Sequence, residues 1–163
     1  MENLKDKLCV PSLIKLLEGG VEQAQFVSGK PHLNEPYEAI IEALGTLGAT
    51  EAIAFIEPFI SHPVEKVKYA AARAMYQLTQ AAKYGEILIE ALSGKDLQLR
   101  RSALMDLAAV GYLPAGEAIA ETLAENSIKL IALKGLLENS IQDDAGTLSE
   151  DDIKIMNLMD SLL

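Results

Sequence analysis

The chain has 163 residues, half of them hydrophobic but only 5% aromatic, with no Trp, one Cys and a formal charge of −10. That length supports one domain with its own core and no need of disulfides or metal. The negative field repels phosphate backbones and anionic headgroups, which argues against nucleic acid, and a lone cysteine excludes both an intrachain disulfide and a multi-cysteine zinc site.

The N-terminal residues Met1 to Lys7 are charged and lead into no apolar signal core. No apolar stretch approaches the roughly 20 residues that span a bilayer, so the expectation is a soluble, cytosolic chain without membrane insertion. Two helices are expected first, over Leu4–Leu17 and 21–26, followed by a connector at 28–36 rich in Gly, Pro and Asn. Residues 1–34 read as an irregular first repeat, because an end repeat has one face without a neighbour.

Regular repeats then fill 35–140. The turn at 63–68 leads into a helix carrying Tyr69, Ala70, Ala71, Arg73, Ala74, Met75 and Tyr76; the pattern returns after 95–100 with Arg101, Ala103, Leu104, Asp106 and Leu107, and after 126–129 with 130–136. Taking Leu44, Met75, Leu107 and Leu136 as equivalent gives steps of 31, 32 and 29 residues, the length of two helices and two turns. Each first helix is followed by a second, expected at 50–60, 83–92 and 115–124 from apolar residues at helical spacing such as Ile53, Ile56 and Ile60. Gly48, Gly94 and Gly111 stand near helix ends, where positive φ is useful. The pattern breaks at 142–147. Ser149 and Asp152 then form a capping-box signature for a last helix within 147–163. Its Ile153, Ile155, Met156, Leu158, Met159, Leu162 and Leu163 share one broad face. The fold class is all-α: a right-handed α/α superhelix of HEAT-like hairpins forming one domain over 1–163, with an amphipathic C-terminal helix that caps its own solenoid or docks on a partner.

Residues 56–75 and 89–103 look like the phycobilisome-lyase type of HEAT repeat. The runs 111–120 and 125–137, with the closing Asn157 to Leu163, resemble the smaller F-type (beta) subunit of the E/F phycobilin lyases, and the resemblance covers 35–163. It implies a cyanobacterial or red-algal chromophore lyase that pairs with a larger E-type subunit. Such a lyase binds a linear tetrapyrrole, phycocyanobilin, as substrate and attaches it as a thioether to a cysteine of a phycobiliprotein (phycocyanin) α subunit, with no permanently bound cofactor. The implied location is the cyanobacterial cytosol or plastid stroma, near phycobilisomes. One branch of the family isomerises the bilin with an adjacent His-Cys pair in the F-type subunit. Cys9 has no histidine beside it, so plain ligation is expected rather than isomerisation to phycoviolobilin.

A bilin presents two propionates, which call for Arg or Lys, and pyrrole N–H groups, which a carboxylate accepts. The candidates are Arg73, Arg101 and Asp106 on successive first helices, with Tyr69 and Tyr76 close to Arg73 on the helix surface. The competing reading of each is a solvated surface group. Lys68 and Arg100 occupy equivalent places just after a turn and read as structural ties to a carboxylate such as Asp96 or to a carbonyl. Cys9 reads as a small buried hydrophobe, and His32 and His62 as surface histidines at no metal-binding spacing. No catalytic residue is assigned: no Ser-His-Asp order or phosphate loop is present, so catalysis would be positional. The alternative function is a non-enzymatic HEAT adaptor, for example in phycobilisome turnover. A DNA-repair solenoid is opposed by the acidic balance and the absence of Trp.

Overall fold

Hairpins of α-helix build the chain, as the computed structural model shows for residues 4–143 and 147–163. The only extended pairing among the described residues is one isolated antiparallel bridge, Phe26 to Leu33. The chain divides into two units, Met1–Ala81 and Ala82–Leu163.

Unit 1 begins with α1 (Leu4–Leu17) and the four-residue α2 (Gly20–Gln23). The helix expected at 21–26 stops short, and the chain turns back as a small hairpin in which Val27 N–H donates to His32 O at 2.9 Å and Asn34 N–H to Gln25 O at 2.9 Å. Next come α3 (Tyr37–Thr46), α4 (Ile53–Ile56) and α5 (Glu65–Thr79). The single second helix expected at 50–60 is instead α4 between two 3-10 segments, Thr50–Ala52 and Glu57–Ser61. Pro58 stands in the first turn of the latter, where it offers no N–H to an α-helical ladder. The core is Ile41, Leu44, Ile56, Phe59, Val67, Ala71 and Met75. Fully burying a Leu, Ile or Phe side chain contributes roughly 1.5–3 kcal/mol. The helices α3 and α5 approach closely because Gly45 has no side chain: a Cβ there would stand 2.8 Å from Ala74 Cα.

Unit 2 holds α6 (Ala82–Leu92), α7 (Leu97–Val110), a 3-10 turn Leu113–Ala115, α8 (Gly116–Glu121), α9 (Asn126–Asp143) and α10 (Glu150–Leu162). Asp96 caps α7, its carboxylate accepting from Gln98 N–H at 2.8 Å and Leu99 N–H at 3.3 Å. Gly111 ends that helix at φ +68°, as expected of a left-handed cap. Gly94 does not adopt positive φ. The second helix expected at 115–124 ends at Glu121, because Thr122 turns extended and donates its hydroxyl to Leu92 O at 2.6 Å. Here α7 and α9 pack as α3 and α5 do in unit 1, with Gly135 against Ala108.

The expected break at 142–147 is met in part: α9 continues to Asp143, and 144–146 lie outside the described residues. The capping box forms as the sequence requires. Ser149 Oγ accepts from Asp152 N–H at 3.1 Å, and Asp152 Oδ2 accepts from Ser149 N–H at 2.8 Å. The class is therefore an all-α repeat solenoid of stacked helical hairpins.

Candidate functional site

The five residues that the sequence suggested for a bilin fall into two groups, one in each unit. On α5 the small residues Ala70, Ala71 and Ala74, with Val67 and Met75, are buried. That leaves Tyr69, Arg73 and Tyr76 in one row along the helix, spaced i, i+4 and i+7. Tyr69 is half-buried and lies under Lys68, whose Nζ is 5.4 Å from the ring centroid, within cation–π range. Arg73 is half-buried, with Nε shielded from solvent. Tyr76 is buried, and burial pushes its phenol above the ordinary tyrosine value. The row grades from a wetter aromatic through a guanidinium to a phenol held in the packing.

On α7 of unit 2, Arg101 is half-exposed and donates to the carboxylate of Glu125, a salt bridge and hydrogen bond together. That bond holds the Glu125 carboxyl below the usual carboxylate range. Asp106, less than two turns along, is buried. Any anion reaching Arg101 has to displace an existing carboxylate partner. Chemically, the α5 row combines a cation with two phenols, whereas the α7 pair combines an occupied cation with a buried carboxylate.

Sequence reasoning passed over three clefts. One of about 520 Å³ in unit 1 is lined by Phe26, His32, Leu33, Glu38, Val64 and Lys66. Another of about 430 Å³ shares Phe26, Leu33 and Val64 and adds His62 and Pro63. The third, of about 480 Å³ in unit 2, involves Ile89, Leu92, Arg100, Glu121, Thr122 and Leu123. None of these three is lined by any of the five candidates. The aromatic Phe26 before Ser28-Gly29 was the one available signal, since an exposed large apolar residue beside a turn marks a surface.

Two side-chain readings change, those of His62 and Cys9. His62 is no surface histidine: it is 3% exposed, stacks on Phe59 with ring centroids 6.1 Å apart, and joins two segments 38 residues apart. Its Nδ1 accepts from Val64 N–H at 3.1 Å, which leaves Nε2–H to donate to Ala24 O at 3.0 Å. His32 is exposed as expected. Cys9, expected to be buried, is exposed on α1. Arg100 is the structural tie expected of it, and it chooses carbonyls over Asp96: Nε donates to Leu123 O at 3.0 Å and a terminal nitrogen to Gly94 O at 2.7 Å. Lys129, its equivalent one repeat on, donates to Ala120 O at 2.9 Å.

Comparison with known proteins agrees with this architecture and corrects one expectation. Residues 34–108 match the model for HEAT repeats. The whole chain is 62% identical to a phycocyanobilin lyase subunit alpha of Nostoc sp. (strain PCC 7120), covering 60% of that protein. It is 60% identical to the protein of the same name from Picosynechococcus sp. (strain PCC 7002), covering 61% of it. A bilin biosynthesis protein RpcE of Synechococcus sp. (strain WH8020) is 41% identical over 88% of the chain. The chain thus spans about 60% of the length of the first two relatives. Among solved structures, the complex of CpcE and CpcF of phycocyanin lyase from Nostoc sp. PCC7120 contains a chain that is 62% identical. It superposes with a TM-score of 0.87, covering 99% of this chain and 59% of that one. With the F-type expectation overturned, the missing His-Cys pair no longer bears on isomerisation, since that pair was a feature of the F-type subunit. Along its length the chain is similar to the alpha, E-type subunits of phycocyanobilin lyases, and not to the smaller F-type subunit that its repeat residues suggested.

Proposed function

We propose that this chain serves as an alpha-type part of a heterodimeric bilin lyase. In this reading it holds phycocyanobilin, a linear tetrapyrrole, while the bilin is attached to a cysteine of a phycocyanin α subunit, and its partner is the F-type subunit. The observation that carries the reading is 62% identity over the whole chain to a protein named phycocyanobilin lyase subunit alpha. No helix among the described residues is long and apolar enough to cross a membrane, which suits work beside phycobilisomes in the cytosol or stroma.

The chemistry asks little of this chain beyond placement. The acceptor thiol adds across the exocyclic ethylidene double bond of the bilin: sulfur bonds to the outer carbon, the π bond breaks, and the hydrogen ends on the ring carbon. No oxidant is needed, and the nucleophile belongs to the acceptor protein. What this chain supplies is orientation, which lowers the barrier by removing translational and rotational search. Arg73 would bind a propionate and Tyr69 stack on a pyrrole ring, with the buried Tyr76 fixing the row from below. Taken by itself, the α7 pair of unit 2 would offer a separate subsite, Arg101 taking a propionate by exchanging Glu125 and Asp106 accepting pyrrole N–H.

Co-expression with the F-type subunit, a phycocyanin α subunit and the enzymes that make phycocyanobilin tests this. A covalent adduct on the denatured α subunit that appears only with this chain present supports the lyase reading. An Arg73→Ala variant is expected to lower the yield of adduct at least tenfold with the fold intact. No adduct, where a known lyase pair succeeds, would move the weight to the protein-binding adaptor.

A further inference from the structure

The row on α5 does not begin at Tyr69. Lys66 lies three residues before it, so Lys66, Tyr69, Arg73 and Tyr76 follow one another at i, i+3, i+7 and i+10 along one face. Lys66 also lines the cleft of about 520 Å³, with Phe26, His32, Leu33, Glu38 and Val64, and so joins the row to that cleft within unit 1. Its side chain is 70% exposed, and its Nζ stands 3.6 Å from Glu38 Oε1, beyond hydrogen-bond length. An ion pair so exposed and so long is exchanged for another carboxylate at little cost.

The cleft offers something different from the row. Its volume is that of a small-molecule site. Phe26, 59% exposed, is held by its bridge to Leu33 and forms part of the wall of both this cleft and the adjoining one of about 430 Å³. His32 Nδ1 lies 2.9 Å from Leu33 O; a carbonyl only accepts, so in the neutral ring Nδ1 carries the hydrogen and Nε2 is left as an acceptor. Glu35 and Glu38 add carboxylates to the lining. The cleft therefore sets an aromatic ring among hydrogen-bond acceptors, whereas the row sets aromatic rings among the cations Lys66 and Arg73. A linear tetrapyrrole is divided in the same way: its propionates stand on the two inner rings, and its outer rings are flat, uncharged and carry N–H. Lys66 and Arg73 are seven residues apart, about 10 Å along the helix axis, a span that two long side chains can close onto neighbouring propionates.

We propose that the Phe26 cleft seats an outer ring of the bilin, stacked on Phe26 with its N–H toward His32 Nε2, while Lys66 takes the propionate next to the one held by Arg73. This rests on the lyase-subunit reading above and adds where the tetrapyrrole lies and which way it runs. The ring that bears the ethylidene has to stay open to the acceptor thiol, so the ring in the cleft is the one at the other end.

The test is titration of phycocyanobilin, and of its dimethyl ester, into this chain assembled with the Nostoc CpcF chain, followed by visible absorbance and circular dichroism. Phe26 and Lys66 are exposed, so their variants should fold and assemble as wild type does, which far-ultraviolet dichroism and gel filtration verify. Lys66→Glu should weaken binding of the free acid at least tenfold, and Lys66→Arg less than threefold. The ester has no carboxylates, so it should bind wild type more weakly than the acid does, and bind Lys66→Glu as well as wild type. Phe26→Ala should weaken both ligands at least fivefold, and Leu123→Ala, at the cleft of unit 2, should weaken neither. If Phe26→Ala and Lys66→Glu bind the acid within twofold of wild type, the bilin lies elsewhere and this proposal fails, while the lyase-subunit reading stands. Loss of assembly with CpcF in those variants would make the cleft a protein contact and also overturn it. Absence of bilin binding by wild type, in conditions where the Nostoc pair binds it, would overturn both.

Discussion

Each unit brings two first helices together over small residues, but the glycine sits on opposite partners. In unit 1 it is Gly45, on the earlier helix, that faces Ala74; in unit 2 it is Gly135, on the later helix, that faces Ala108. In the repeat register Gly45 matches Ala108, and Ala74 is one place before Met75 as Gly135 is one place before Leu136. The repeat thus fixes a pair of positions and a distance of approach, and leaves open which of the two gives up its side chain. The two contacts also differ in what would resist a methyl group. Gly45 faces Gln77 Oε1 at 2.6 Å, Ala74 Cα at 2.8 Å and Ala74 Cβ at 2.9 Å, so that backbone as well as side chain stands close, whereas Gly135 faces a side-chain methyl, with Ala108 Cβ at 2.8 Å and its Cα at 3.4 Å.

The largest expected effect lies in unit 1. Phe59 is fully buried and stacks on Tyr37 at 5.5 Å, so Phe59→Ala should cost about 3–5 kcal/mol in denaturant unfolding. A midpoint close to wild type would show that α4 and its 3-10 neighbours are marginal to stability. Next, Gly45→Ala should cost about 1–3 kcal/mol despite its better helix propensity. Gly135→Ala should cost less. Ala108→Gly is expected to rescue Gly135→Ala, whereas Ala74→Gly should rescue Gly45→Ala only in part; equal rescue would dissolve the distinction between the units. Smaller again is the difference in helix starts. Asp96 caps α7 with its side chain and Val64 gives α5 no such bond, so Asp96→Ala should lower stability by about 1 kcal/mol.

The mildest effect concerns acid. Hydrogen bonds from Ser140 and from the Ser149 backbone and hydroxyl hold the buried Asp152 carboxyl below the usual carboxylate range. A carboxyl that is harder to protonate when folded contributes stability above its unfolded value, and that contribution is lost as pH falls through the lower folded value. Thermal melts of Asp152→Asn should therefore show less change on acidification than wild type. Parallel curves would remove Asp152 from the acid response.

Much of the fold was legible because it is local. The repeat steps, the bounds of α1 and the Ser149–Asp152 cap all follow from residues within a turn or two of one another. The broken second helix of unit 1 was also written locally, in Pro58, but was outweighed by the helical spacing of Ile53, Ile56 and Ile60. His62 could not be placed, since its burial depends on Ala24, 38 residues away. Of the five candidates, Tyr69, Arg73 and Tyr76 were legible as neighbours on one helix, whereas the Arg101–Glu125 pair spans 24 positions and has no local signature. The subunit type was misread for a related reason: the residues it was read from make helical hairpins, and so report the scaffold rather than which subunit is present.

The ties made by Arg100 and Lys129 set an asymmetry for sequence drift. Both cations end on main-chain oxygens, of Leu123 and Gly94 in one case and of Ala120 in the other. Every residue type offers that oxygen, so the acceptor turns can change identity without losing the bond, whereas the donors can change only to another long cation. A consensus derived from such repeats should look sharp at the cation and blurred at the turn it holds, and a designed array would need to specify only the former.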